Sequence, residues 1–134
     1  MIVLDASAAV ELVLSTPLAA RIAARALHPA QQLHAPHLID IEVLQTLRRL
    51  AQSAALAPRR AELALADFGD LAIERHAHSM LVPRIWSLRA TVSAYDAAYI
   101  ALAEALAAPL LTCDARHARA HGHGAQVELV ADTA

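Results

Sequence analysis

Ile2-Val3-Leu4 is an apolar, mostly β-branched run that stops at Asp5 and passes directly into Ala6-Ser7-Ala8-Ala9-Val10. Such a run, followed by small helix-forming residues, predicts a buried strand that ends in an acid and leads straight into a helix. In open α/β sheets, ligand chemistry collects at the carboxyl ends of the strands. Asp5 therefore has two readings at this stage. It is the N-cap of the following helix, a position that aspartate favours, or it is the first of several acids gathered at one edge of a sheet.

The rest of the chain repeats the alternation of strand and helix. Ala6 to Leu14 predicts a helix, and Pro17 to Leu27 a second, with Thr16 as its N-cap and Pro17 at its first position. Gln31 to Ala35 predicts a strand, and Leu38 to Ser53 a helix. On that helix Ile39, Val43, Leu47 and Leu50 form an apolar stripe, with Glu42, Gln45, Thr46 and Arg49 on a neighbouring polar one. Pro58 to Asp70 predicts a helix, Leu71 to Ala77 a short strand, and Met80 to Arg89 helical turns around Pro83. Thr91 to Ala107 is the most regular helical segment. Pro109 to Thr112 predicts a strand, Ala115 to Ala120 a short helix, and Val127 to Val130 a closing strand. No hairpin signal joins one strand to the next. The pattern predicts an α/β sandwich with a central, mainly parallel sheet flanked by helices, and a length of 134 residues predicts one domain, 1–134.

Composition matters for what it removes. The 11 basic residues are all arginine, so a lysine Schiff base and a P-loop lysine are excluded. A net charge of −2 creates no global field that would draw in nucleic acid, and 3% aromatic content makes no base-stacking platform. Any polyanion must be held locally. Cys113 is the sole cysteine, so neither an internal disulfide nor a thiolate zinc cluster can form within the chain. No apolar run reaches the roughly 18 residues of a membrane span, and the N-terminus has no basic leader pattern. A cytoplasmic protein without membrane contact is expected.

Four acids stand at places where strands end or helices begin: Asp5, Glu42, Asp96 and Asp114. Each has a structural reading as an exposed helix acid or a cap, and Asp96 stands where it would complete a capping box with Ser93. Two details favour chemistry. Asp96 shares a helix face with Tyr99, Ile100 and Ala103, which aims its carboxylate at the core's edge, where it is costly unless paired or metal-bound. Asp5 and Asp114 both end apolar strands, so a parallel sheet places them on the same edge. Converging carboxylates need a cation between them, and hard oxygen donors suit Mg²⁺ or Mn²⁺. Three or four of these acids would share the ion. Such a site orients water for attack on phosphorus. Ser7 and Thr112 stand beside the two strand ends and would hold a carboxylate or a water in place.

Taken together, Ile2-Val3-Leu4-Asp5-Ala6-Ser7, Ile39-Asp40-Ile41-Glu42, Tyr95-Asp96-Ala97-Ala98-Tyr99 and Leu111-Thr112-Cys113-Asp114 resemble the PIN-domain ribonucleases, and in length and order the VapC-type toxins of bacterial toxin–antitoxin modules. The resemblance spans residues 2 to about 130. It implies a PIN-like three-layer sandwich and a metal-dependent endoribonuclease whose acidic quartet is Asp5, Glu42, Asp96 and Asp114. It also implies an RNA substrate, a VapB-type antitoxin and a homodimer. Ser7 matches the small polar residue of the first motif and Thr112 the hydroxyl before the last acid. One departure stands out: the family has an aromatic or apolar residue shortly after the last acid, where this chain reads Ala115-Arg116-His117-Ala118-Arg119.

Remaining candidates divide as follows. Arg116 and Arg119 are three apart beyond Asp114 and would hold RNA phosphates, or form a solvated face. Asp40 lies about 200° around the helix from Glu42, so only one of them faces Asp5, and the motif favours Glu42. His117 and His121 have the i, i+4 spacing of a zinc pair, but Gly122 interrupts the helix and no Glu lies between them. His34, His37, His76 and His78 are expected at the surface or boundary. Trp86 is expected in the core or at a dimer contact, and Cys113 in packing. A haloacid-dehalogenase-like phosphatase needs a second aspartate where Ser7 stands, and normally a lysine. A PIN-like module that binds without cutting is the remaining alternative.

Overall fold

The computed structural model describes residues 1–132. Among them run β1 (Ile2–Leu4), α1 (Ala6–Val13), α2 (Ala19–Ala26), β2 (Leu33–Pro36), α3 (Ile39–Gln52), α4 (Pro58–Asp70) and β3 (Ile73–His76). A 3-10 turn (Ser79–Leu81) follows, then α5 (Val82–Ser87), α6 (Ala94–Leu106), β4 (Leu110–Thr112), α7 (Ala115–Arg119) and β5 (Val127–Leu129). The five strands form one sheet in the order β3-β2-β1-β4-β5. Every pairing is parallel, so the expectation of a mainly parallel sheet is met in full.

Strand order dictates the layers. The chain moves from β1 outward to β2 and β3, then crosses back to β4 and β5. Right-handed crossovers therefore place α1 to α4 on one face and α5 to α7 on the other. The packing agrees: α1 rests on α2, α3 and α4, whereas α6 joins α5 and lies across β1, β2 and β4. β1 is central and buried on both sides, which is why Ile2, Val3 and Leu4 are all apolar rather than alternating. The reversal of strand order falls between β1 and β4, and such a switch point opens a crevice at the carboxyl ends of the strands.

Element ends depart from expectation for local reasons. The second helix starts at Ala19, not Pro17, because Ser15 takes a left-handed φ of 53° and Pro17-Leu18 continue as a turn. Thr16 still caps locally, its Oγ1 accepting from the Leu18 amide at 3.3 Å. The longest apolar helix starts at Ala94 because Ser93, with extended ψ of 159°, is its N-cap. Proline at the start of α5 splits the expected 80–89 segment into a 3-10 turn and a six-residue helix. Trp86 on α5 is 65% exposed and thus not a core residue. None of the described helices is long and apolar enough to cross a membrane.

Candidate active site at the β1/β4 switch point

Asp5, Glu42, Asp96 and Asp114 all line one open groove of about 580 Å³, with Ser7, Thr46, Arg49, Tyr95 and Arg116 among its other walls. Each acid arrives by a different local route.

Asp5 ends β1 and occupies the N-cap position of α1, yet its side chain makes no capping bond. The carboxylate turns sideways instead. Its Oδ2 accepts from Ser7 Oγ at 2.5 Å and from Thr112 Oγ1 at 2.8 Å. Each hydroxyl has one proton, so both protons are spent on Asp5, and the 3.2 Å approach of the two hydroxyl oxygens carries none. Their lone pairs face the other way: Ser7 Oγ accepts from the Cys113 amide at 3.0 Å and Thr112 Oγ1 from the Asp114 amide at 2.9 Å. The turn leaving β4 is thereby fastened to the end of β1, and Asp5 is held with only 5% of its surface exposed.

Asp96 is three residues past the Ser93 cap, whose Oγ accepts from the Asp96 amide at 3.1 Å. The capping box is half built, since the carboxylate does not return to Ser93. Among the described residues no hydrogen bond reaches that carboxylate, although Asp96 is 9% exposed. Glu42, one turn into α3, accepts from Tyr99 Oη at 2.6 Å. Burial pushes the Glu42 carboxyl above the usual range, and Asp5 and Asp96 push it the same way against the Tyr99 bond. Tyr99 is itself held far above the ordinary phenol value, first by burial and then by Glu42, so it remains a donor.

Asp114 fulfils its capping reading as well. It accepts from the Arg116 amide at 2.9 Å, and the Arg116 guanidinium donates to its Oδ2 at 2.6 Å. That guanidinium holds the Asp114 carboxyl below the usual range. Arg116 thus reaches the groove already paired with an acid, while Arg119 lies in an adjoining cleft beside Asp96 and Arg116. Asp40 points elsewhere, with Arg75 Nη2 donating to its Oδ1 at 2.8 Å, as the helical repeat requires.

Sequence reasoning missed His117. It is 1% exposed, and its Nε2 lies 3.5 Å from both Asp5 Oδ2 and Asp96 Oδ1. Its ring packs edge-on to Tyr99, with centroids 6.2 Å apart. His117 fills the place after the last acid where an aromatic or apolar residue was expected. The signal was its position three residues past a capping aspartate, one turn into a helix that follows a strand end. The expectation for His34 is also corrected: it is 3% exposed, and its Nδ1 lies 2.9 Å from His76 Nε2. Cys113 packs half-buried against the hydrophobic core, and that burial pushes its thiol up to about 11.

The donor set suits a divalent cation. Asp5 and Asp96 are nearly buried carboxylates, and isolated buried charge is costly without a counter-charge. Ser7 and Thr112 both donate to Asp5 Oδ2, and no bond among the described residues reaches Oδ1. One donor atom each from Asp96, Asp114 and His117 lies within 4.8 Å of the other two. Carboxylate oxygens around an open groove are the ligand type of hard divalent ions.

Residues 2–122 match the family described as PIN domain. The chain is 42% identical over 131 residues to a Mycobacterium tuberculosis protein named Ribonuclease VapC12, covering 98% of this chain and 100% of that one. It is 47% identical over 116 residues to a Mycobacterium bovis protein named VapC ribonuclease Mb0985, covering 87% of each. Among solved structures, the VapBC2 complex from Rickettsia felis, bound to a DNA fragment from its promoter, contains a chain that superposes with a TM-score of 0.69 at 15% identity. That match covers 96% of this chain and 98% of the other, and it shows a common fold.

Proposed function

The chain belongs to the PIN domain family, and from that premise we propose that it is a Mg²⁺- or Mn²⁺-dependent endoribonuclease acting as the toxin of a toxin–antitoxin pair. Residues 1–134 form its single nuclease domain. The observation that carries the proposal is the meeting of Asp5, Glu42, Asp96 and Asp114 on one groove at the switch point of the sheet. Asp5, Asp96 and Asp114 would hold the ion, and Glu42 would shape the site as a ligand or through bound water. When bound, a divalent ion supplies an activated water at neutral pH and neutralises charge developing on phosphorus.

The protein's own residues supply orientation. Ser7 and Thr112 fix Oδ2 of Asp5, which leaves Oδ1 as the oxygen with no partner among the described residues. Tyr99 fixes one oxygen of Glu42. His117 faces Asp5 and Asp96 together from the floor of the site. Arg116 and Arg119 would contact the phosphates beside the scissile bond, which positions the strand without reading its bases. Attack by water with the 3′ oxygen leaving yields a 5′-phosphate and a 3′-hydroxyl. The cognate partner is a VapB-type antitoxin, as the VapBC relative suggests, and the protein acts in the cytoplasm as a homodimer. Exposed Met80, Val82 and Trp86 on the face of the 3-10 turn and α5 provide apolar surface for a second copy.

The deciding experiment maps cleavage ends in total RNA after expression of wild type and Asp5→Asn. Wild type should leave new 5′-phosphate ends and arrest growth. The variant should do neither while retaining its circular dichroism spectrum. Equal harmlessness of the two proteins would favour a PIN-like module that binds without cutting.

A further inference from the structure

Outside the acidic groove, three metal-ligating side chains converge on the edge of the sheet. Parallel pairing of β2 with β3 sets His34 opposite Glu74 and Pro36 opposite His76. Side chains two apart on a strand share a face, so Glu74 and His76 point the same way and His34 joins them from the neighbouring strand. The alternate residue, Arg75, faces α3 and α4, where it binds Asp40 and lies over the Phe68 ring. The cluster therefore occupies the opposite face, the one crossed by α6. His34 Nδ1 is 2.9 Å from His76 Nε2 and 3.6 Å from Glu74 Oε2. One donor atom from each residue lies within 4.8 Å of the other two.

We propose that His34, Glu74 and His76 form a second metal site, separate from the acidic groove, that takes Zn²⁺ through two imidazole nitrogens and one carboxylate oxygen. Three observations support this. The ligand set is two histidines and a glutamate, a combination that zinc accepts with a fourth position left for water. A tetrahedral ion with Zn–N distances of about 2.0–2.1 Å needs donors roughly 3.3 Å apart, and 2.9 and 3.6 Å bracket that spacing. Finally, the three ligands run from a buried histidine to an exposed carboxylate at the sheet's edge. His34 is 97% buried and turns Nδ1 to His76 and Glu74, while its Nε2 has no hydrogen-bond partner among the described residues. The Glu74 side chain is 67% exposed and opens the fourth position to solvent.

A site of this kind would clip the edge strand β3 to β2, at the start of the path into α3. None of its ligands lines the acidic groove, so its occupancy is separable from RNA cleavage and does not depend on the ribonuclease reading. The test uses Co²⁺ as a spectroscopic probe and Zn²⁺ as the ion, in excess Mg²⁺ to occupy the carboxylates of the groove. Wild type should show the intense visible bands of tetrahedral cobalt at one equivalent, displaced by Zn²⁺, together with a rise in melting temperature on adding Zn²⁺. His76→Ala and Glu74→Gln change partly or well exposed residues and should keep the wild-type circular dichroism spectrum. Both should bind at least about tenfold more weakly and lose the thermal shift. Wild type without tetrahedral cobalt bands, or bands that persist unchanged in both variants, would overturn the proposal.

Discussion

At the scale of single residues, Asp5 and Asp96 are two nearly buried carboxylates with opposite surroundings. Asp5 is satisfied on one oxygen by two hydroxyls, each anchored in turn by a backbone amide of the β4–α7 turn. Asp96 has no hydrogen-bond donor on its carboxylate among the described residues and sits beside His117 and the other acids. Without metal its charge is a cost to the fold. Asp96→Asn should therefore abolish RNA cleavage and, in EDTA, melt at or above the wild-type temperature. Relief of about 1 kcal/mol, typical when a functional charge is removed, corresponds to a few degrees for a chain this size. A clear fall in melting temperature in EDTA would show that Asp96 stabilises the fold by itself. Asp114 is different in kind, since Arg116 and the α7 amide already occupy it. Its capping reading is met in full: Oδ1 takes the α7 amide, and the Arg116 guanidinium donates to both oxygens.

Elements matter through where they begin and end. α6 carries Asp96 and Tyr99 into the site because Ser93 starts the helix at a defined residue. Shifting the start by one residue would rotate both side chains by about 100°. Its far end is less well built. Ala107 closes α6 in the left-handed conformation, with φ of 50° and ψ of 42°. A Cβ in that region costs roughly 1–2 kcal/mol, partly offset by the entropy that glycine loses on folding. Ala107→Gly should raise stability by about 0.5 kcal/mol, read as an upward shift of the denaturation midpoint at constant slope. An unchanged or lower midpoint would mean that the methyl group is held by contacts worth more than the strain. The same element joins the outer layer to the loop beyond α7, where Arg84 of α5 binds Glu104 and the Gly124 amide donates to Glu104 at 2.8 Å.

For the whole molecule, the decisive fact is that strand order reverses between β1 and β4, which brings residues more than a hundred positions apart onto one edge. The folded groove collects the carboxylates and the unfolded chain does not, so a divalent ion should bind the native state selectively. Mg²⁺ or Mn²⁺ should then raise the melting temperature in a concentration-dependent way, with about 2.7 kcal/mol at a hundredfold excess over Kd. Asp5→Asn should lose most of that shift, and a wild type indifferent to both ions would argue against the acidic groove as their site. Much of this was legible from residues alone. The alternation of apolar runs and helical periods determines the α/β class, and the strand-end positions of Asp5 and Asp114 point to a shared edge, because a parallel sheet leaves no other choice. The 3.6-residue period separates Glu42 from Asp40 without coordinates. What the sequence could not determine is which side chains share a hydrogen bond across the fold. The fastening of Asp5 by Thr112, the Tyr99–Glu42 bond, the burial of His117 between two acids and the meeting of His34 with Glu74 and His76 all depend on strand order and register. Neither is written in any local pattern, since both are set by how the layers pack.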